Sequence, residues 1–334
     1  MRLFDIKADH DLDVMTPNQT LNSLSCRILE RLDPVLEAVK PDRVLVHGDT
    51  TTAMVSALAA FHRGIPVAHV EAGLRTGNMR QPWPEEMNRR VVDVVSDLMF
   101  APTAESRRNL LAENLGGRIL VTGNTVIDAL QWVADRLTND DNLRRQVDAQ
   151  LPALDPARRL LLVTGHRREN FGDGFDAICS ALASLAQRDD IDIVYPVHLN
   201  PHVQGPVHAT LGHLANVHLI APLDYLGFVR MMQRAHVILT DSGGVQEEAP
   251  SLGKPVLVMR EVTERPEALA AGVVRLVGTS QARIVDSVTS LFDDPAVWQS
   301  FSQVCNPYGD GQASQRIVSC LQGMEVDAFA PEQA

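Results

Sequence analysis

Aromatic side chains are scarce in this chain, at 4% of 334 residues, while Ala, Val and Leu abound. That bias suits helices packed on sheets better than a β-sandwich. Basic residues are outnumbered, 30 Lys and Arg against 42 Asp and Glu, for a net charge of −12. Non-specific nucleic-acid binding relies on a basic footprint and is excluded on that ground. An anionic substrate is not excluded, because a few arginines and helix N-termini can make a local positive site. Only four cysteines occur (Cys26, Cys179, Cys305 and Cys320), with no CxxC pair, which reads as reduced thiols in a cytoplasmic protein. Long apolar runs are missing too, and the opening MRLFDIKADHDLDV is neither a signal peptide nor a membrane span, so no membrane partner is expected. Neither GxGxxG nor GxxxxGK[ST] is present, so nothing points to NAD chemistry or ATP hydrolysis. The eleven histidines contain no HExxH, and His62, His69, His208, His213, His218 and His236 read as scattered structural or surface residues, with no metal expected.

What is abundant is alternation. Leu21, Leu24, Ile28, Leu32, Val35 and Val39 mark one amphipathic helix, and the apolar run Arg43–His47 follows as a strand. Helix Thr51–Arg63, strand Pro66–Val70, helix Glu85–Asp97, strand Leu98–Ala101, a helix from Ala104, strand Ile119–Thr122 and a helix from Val126 continue the pattern. A polar stretch, Thr138–Arg158, reads as a helix end plus an interdomain linker. Strands then recur at Leu160–Thr164, Ile191–Val197, Val217–Ile220, Val237–Thr240, Val256–Met259 and Val273–Val277. Near-continuous apolar strands alternating with helices mean parallel sheets covered on both faces. The expectation is two doubly wound α/β domains facing a cleft, over 1–150 and 151–323, with a tail at 324–334 and the last helix packing back on the first domain.

Ligands of open α/β sheets sit beyond the carboxyl ends of the strands. The polar residues there are Asp49, Glu71, His166, His198 and Asp241–Gly244. Asp241-Ser-Gly-Gly-Val-Gln-Glu-Glu248 joins a strand to a helix. Its glycines let backbone approach a ligand, the helix start attracts phosphate, and Glu248 could accept from ribose hydroxyls; the alternative is an ordinary tight turn. His166-Arg167-Arg168-Glu169 suits a pyrophosphate, and Arg260 with Arg265 forms a second basic cluster. Either could instead be a solvated loop.

The first half is rich in carboxylates: Asp49, Glu71, Glu85 and Glu86. Asp49 before Thr50-Thr51-Thr52 is open to a plain helix N-cap reading. Glu71 follows an apolar strand and precedes Ala-Gly-Leu-Arg75, so it is expected in the cleft. Pro82-Trp83-Pro84 makes a stiff turn that presents Glu85 at a helix start. Carboxylates opposite a basic nucleotide site suggest acid–base work on a sugar.

The strings VLVHGDTTT (44–52), HVEAGLRTG (69–77), PWPEEMNRR (82–90), VTGNTVIDAL (121–130), VTGHRREN (163–170), YPVHLNP (195–201), LTDSGGVQEEAPSLGKPVLVMR (239–260), TERPEA (263–268) and NPYGDGQAS (306–314) resemble the non-hydrolysing UDP-N-acetylglucosamine 2-epimerases from about residue 10 to 323. The resemblance implies a GT-B-like pair of Rossmann-type domains, a homodimer, no cofactor, and conversion between UDP-GlcNAc and UDP-ManNAc for surface polysaccharides. It implies acid–base roles for Asp49, Glu71 and Glu85, and assistance to the diphosphate by His166. Arg167, Phe228, Ser242, Gly243, Gly244, Glu248 and Arg265 then form the UDP site, and His198 is assigned an allosteric or interdomain role. Family members open with a strand and a Gly-Thr-Arg-Pro-Glu loop, followed by a Lys-bearing helix. Neither is found here, so the first domain is expected to lack its opening β–α–β portion. The family's route is anti elimination of UDP to 2-acetamidoglucal and syn re-addition. The alternatives are a hydrolysing relative that releases ManNAc, a GT-B glycosyltransferase, or an inactive UDP-sugar-binding protein.

Overall fold

A computed structural model describes residues 2–167, 170–263, 265–302 and 305–331. The chain divides into two compact units, residues 1–124 with 315–330, and residues 125–314 with 331–334.

In the first unit, α1 (Leu21–Val39), β1 (Val44–His47), α2 (Thr51–His62), β2 (Val67–Val70), α3 (Glu85–Val95), β3 (Leu98–Ala101), α4 (Ala104–Ala112) and β4 (Arg118–Val121) alternate. The four strands are parallel and lie in chain order, β1-β2-β3-β4, with Val44 opposite Val67 and Leu98 opposite Arg118. Short Val/Leu/Phe runs form such a sheet; β3 is buried at every residue, whereas β1 buries only Val46. Near the end of the chain, Ile317 and Cys320 pack on Ala68, Leu98, Phe100 and Leu120, and the Phe329 N–H donates to the Val121 carbonyl at 2.8 Å.

The second unit contains α5 (Thr125–Asn139), α6 (Asp141–Asp148), β5 (Arg159–Thr164), α7 (Asp173–Leu185), β6 (Ile191–Pro196), α8 (Pro201–Leu211), β7 (Val217–Ile220), α9 (Tyr225–Arg234), β8 (Ala235–Thr240), α10 (Gly243–Glu248), β9 (Val256–Val258), α11 (Pro266–Ala270), β10 (Val274–Leu276), α12 (Gln281–Asp293), α13 (Pro295–Ser302) and the start of α14 (Ala313–Leu321). Its parallel strands are ordered β10-β9-β8-β5-β6-β7. The winding runs outward from β5 to β7, returns to β8 beside β5, and runs outward the other way. Leu161, Val163, Ile193, Tyr195, Val237, Leu239 and Leu257 from this sheet share one core with Phe175, Ile178 and Leu182 of α7. At about 1.5–3 kcal/mol for each large apolar side chain buried, that core is the main favourable contribution to this unit.

One segment differs from the sequence reading. The stretch 138–158, expected as a linker, holds α6, and α5 and α6 lie with the second unit. The Asp140 side chain caps α6, accepting from the Asn142 and Leu143 N–H groups at 3.0 and 2.9 Å. Only Val147 of this helix is buried, so its apolar periodicity was too thin to show. Arg230 of α9 holds it through a two-pronged pair with Asp148 at 2.8 and 2.9 Å.

Candidate active site

In the second unit the reversal of winding falls between β5 and β8, and the carboxyl ends of those two strands are where open α/β sheets bind ligands. Gly165, His166 and Arg167 follow β5, and Asp241 follows β8. Asp241 is fully buried. Its Oδ2 accepts from the backbone N–H groups of His166 and Arg167 at 2.9 and 2.8 Å and from Asn170 Nδ2 at 3.4 Å. The Tyr195 hydroxyl donates to the Gly165 carbonyl at 2.9 Å, so the loop is tied at successive residues. Oδ1 of Asp241 has no hydrogen-bond partner among the described residues and lies 3.7 Å from His166 Nδ1. The exposed His166 ring stacks on His198, with centroids 5.3 Å apart and planes 15° from parallel. The Asn200 N–H donates to His198 Nδ1 at 3.1 Å, which leaves the proton of a neutral His198 ring on Nε2.

Ser242 precedes α10, and Gly243 is where the basic groups meet. A Cβ placed on Gly243 would stand 3.7 Å from Arg265 Nη2 and 3.8 Å from Arg167 Nη2. The two arginines, 98 positions apart in sequence numbering, thus flank one stretch of backbone without a side chain. Arg265 is anchored by Glu247, and its N–H donates to Thr263 Oγ1 at 3.1 Å. Glu248 sits on the far side of Gly244, with Oε2 3.8 Å from a Cβ placed there. The Tyr225 hydroxyl donates to Glu248 Oε1 at 3.0 Å. Burial pushes the Glu248 carboxyl up to about 7, with Glu247 adding to the rise and the Tyr225 bond opposing it. Phe228 is half-buried on α9, one turn beyond Tyr225 and hence on the same side of that helix. Arg168, Glu169 and Glu264 of the basic motifs lie outside the described residues.

The first unit gathers carboxylates. Asp49 follows β1, but the N-cap of α2 is Thr50, whose Oγ1 accepts from the Ala53 N–H at 3.2 Å. The Asp49 side chain instead meets Arg89 of α3, with Oδ2 2.6 Å from Nη2, and Asn88 Nδ2 donates to the Asp49 carbonyl at 2.8 Å. Glu85 opens α3 one turn before Asn88 and Arg89, on the face turned to Asp49. It is half-buried, and its carboxylate makes no hydrogen bond among the described residues.

Glu71, after β2, has φ +71, a left-handed conformation that costs a residue with a side chain on the order of 1 kcal/mol or more. Its Oε1 accepts from Asn124 Nδ2 at 3.2 Å, and its Oε2 is 3.5 Å from His47 Nε2. The Glu71 carboxylate raises the His47 imidazole above its ordinary value, Asp49 adds to this, and burial opposes it. A Cβ on Gly48 would come within 3.3 Å of Glu71 Oε2, so the Asp49 turn and Glu71 are neighbours. Gly73, φ +90, meets α4 so closely that a Cβ would overlap the Ser106 carbonyl oxygen at 2.3 Å.

The structure thus brings His166, Arg167, Ser242, Gly243, Gly244, Glu248 and Arg265 together in one unit, with His198 stacked on His166. It brings Asp49, Glu71 and the Glu85 face of α3 together in the other. Residue-type reasoning passed over Asp241 as a clamp, and over Tyr225, His47, Arg89 and Asn124. Asp241, His47, Arg89 and Asn124 sit inside the quoted strings, which was the visible signal for them; Tyr225 does not, and the pairings themselves connect distant positions.

A family profile described as UDP-N-acetylglucosamine 2-epimerase matches residues 1–322. The UDP-N-acetylglucosamine 2-epimerase of Escherichia coli (strain K12) is 57% identical over 328 residues, covering 98% of this chain and 87% of that protein. Among solved structures, the UDP-GlcNAc 2-epimerase of Neisseria meningitidis bound to UDP-GlcNAc superposes with a TM-score of 0.89 at 49% identity, over 96% of this chain and 87% of that one. That of Methanocaldococcus jannaschii in complex with UDP-GlcNAc and UDP gives 0.78 at 32% identity, over 96% and 86%.

Proposed function

This chain belongs to the UDP-N-acetylglucosamine 2-epimerase family, whose members are isomerases, and from that premise we propose that it interconverts UDP-N-acetylglucosamine and UDP-N-acetylmannosamine by inversion at C2. The observation that carries the reading is the meeting of Arg167 and Arg265 on side-chain-free Gly243 at the winding reversal, with Glu248 one turn away. Two guanidiniums, His166 and open backbone suit a diphosphate, and a buried carboxylate suits ribose hydroxyls.

The C2 proton of a pyranose is not acidic, so direct removal and return is a poor route. Anti elimination avoids the difficulty. A carboxylate takes the C2 proton as the C1–O bond to UDP breaks, C1=C2 forms, and 2-acetamidoglucal and UDP result. Syn re-addition of UDP with protonation of C2 from the other face gives the epimer. The sequence is redox-neutral and needs no cofactor. Asp49, Glu71 and Glu85 supply the acid–base groups, and His166, Arg167 and Arg265 stabilise the departing diphosphate. We place the enzyme in the cytoplasm as a homodimer supplying a ManNAc-type sugar for surface polysaccharide; among the described residues no helix is long and apolar enough to cross a membrane.

Turnover in D₂O tests the route. Deuterium should appear at C2 of both epimers, with traces of 2-acetamidoglucal and UDP released. UDP-ManNAc formed without solvent label at C2 would overturn the elimination step, and free ManNAc as the main product would mark a hydrolase instead.

A further inference from the structure

Histidine 69, read from sequence as one of several scattered structural or surface residues, is fully buried on β2, two residues before Glu71. Both of its ring nitrogens face acceptors. Nε2 lies 2.9 Å from the Gly48 carbonyl oxygen, and Nδ1 lies 2.6 Å from Asp93 Oδ1. A carbonyl oxygen can only accept, so Nε2 carries a hydrogen. Asp93 is fully buried, and its Oδ2 makes a 2.7 Å ion-pair contact with Arg75 Nη2 that is not a hydrogen bond. A carboxylate paired with a guanidinium on one oxygen accepts from Nδ1 on the other, which places a hydrogen on Nδ1 as well.

The chain of charges does not stop there. Arg75 holds Glu113 through two bonds of 2.8 Å. Glu113 is 3.2 Å from Arg90, whose Nε is 3.5 Å from the buried Glu86. Glu86 is 3.3 Å from Arg89, and Arg89 meets Asp49 at 2.6 Å. Glu86 also accepts from the Thr76 and Gly77 N–H groups at 3.0 and 3.3 Å. The sequence His69, Asp93, Arg75, Glu113, Arg90, Glu86, Arg89, Asp49 alternates in sign at every step once His69 is an imidazolium. It closes on itself, because His69 grips the peptide carbonyl immediately before Asp49.

We propose that His69 is a positioning residue for the acid–base carboxylates: as a buried imidazolium it anchors the Gly48–Asp49 turn from one side while Arg89 anchors the Asp49 carboxylate from the other. The turn also abuts Glu71 Oε2, so His69 sets the placement of both carboxylates without touching substrate. This rests on the reading of Asp49 and Glu71 as proton-transfer groups.

The first arm of the test is independent of activity. ¹⁵N NMR of the full chain labelled at histidine, with the His69 signals assigned by their loss in His69→Gln, should show hydrogen on both ring nitrogens at neutral pH. One bare ring nitrogen would overturn the proposal. The second arm is kinetic. Displacing the turn by a fraction of an ångström should lower kcat of His69→Ala by roughly 10–100-fold, with KM for UDP-GlcNAc and UDP affinity nearly unchanged. His69→Gln, which keeps a donor for the Gly48 carbonyl, should recover much of that rate. Asp93→Asn should be impaired, and pairing it with His69→Gln should improve on Asp93→Asn alone, because the double variant restores alternation among the six remaining charges. Should His69→Ala fail to fold, the Gln and double variants carry the comparison. Equal loss of kcat in His69→Gln and His69→Ala, or a uniform fall in stability with no kcat-against-KM split, would reduce His69 to a structural part. A protein that turns over no UDP-GlcNAc while its NMR signature is as expected would sink the functional reading and leave the ring intact.

Discussion

The two sheets place charged groups at their strand ends by different means. In the second unit the winding reverses between β5 and β8, so the place of the candidate site follows from strand order, and the buried Asp241 carboxylate with the Tyr195 hydroxyl holds the loop after β5. In the first unit β1, β2, β3 and β4 follow chain order, and no reversal falls among them. There the carboxylates are held by α3, by ion pairs that link residues up to 40 positions apart, and by a backbone forced left-handed at Glu71. A switch point provides a binding site from topology. Long-range charge pairing of the kind seen in the first unit is less tolerant of change, since removing one partner from a buried pair costs about 3–5 kcal/mol.

If the division of labour is real, single substitutions should separate it. Glu71→Gln should lower kcat by ~10²–10⁴-fold, the range for loss of an acid–base group. UDP affinity by calorimetry should stay at the native value, and a matched loss of affinity would erase the distinction between the units. Arg265→Ala should do the reverse. A charge-assisted contact contributes about 1.5–3 kcal/mol, so UDP binding should weaken by roughly 10- to 150-fold. Unchanged affinity would remove Arg265 from the site.

A smaller, pH-dependent effect belongs to the second unit alone. Burial pushes the Glu248 carboxyl up to about 7, and on the proposed reading of Glu248 as the ribose contact its ionised form is the stronger acceptor for two hydroxyls. UDP affinity should therefore be flat above that pH and fall as pH drops through it, approaching about tenfold per unit, since one pKa unit corresponds to about 1.36 kcal/mol. Glu248→Gln should bind more weakly at high pH and lose this dependence. A slope that survives in the Gln variant would point to another group. The smallest expected effect is on stability: Thr50→Ala removes the cap of α2 and should cost about 1 kcal/mol, read by melting, with UDP affinity untouched.

How much of this was legible in the sequence follows the same divide. The strand–helix alternation was plain because these strands are short apolar runs that end at or just before a polar residue, as at His47, at Glu71 after Val70, and at Thr240. The nucleotide side was legible because topology, glycines and arginines fall in one or two contiguous strings. Helix α6 was not, since its surface is polar nearly all round and its signal is a single capping aspartate. The partners of Asp49 and His69 were hidden for another reason. Arg89 lies 40 positions from Asp49 and Asp93 lies 24 from His69, and no local periodicity encodes such pairings. His69 in particular looks like any histidine in a strand until the carbonyl of Gly48 is seen beside it.

On the proposed reading of Glu71 as an acid–base group, its left-handed backbone sets stability and activity against each other at one position. Glycine adopts φ +71 without strain, so Glu71→Gly relieves the backbone while discarding the carboxylate, and its effect on melting should be far milder than its effect on turnover. A chain of this kind released from its catalytic duty, whether by gene duplication or by laboratory selection for thermal resistance alone, should drift toward glycine here before it changes Asp241 or Asp93. The identity of this one residue is therefore a compact marker, readable across relatives, of whether a copy of the fold is still being kept for its chemistry.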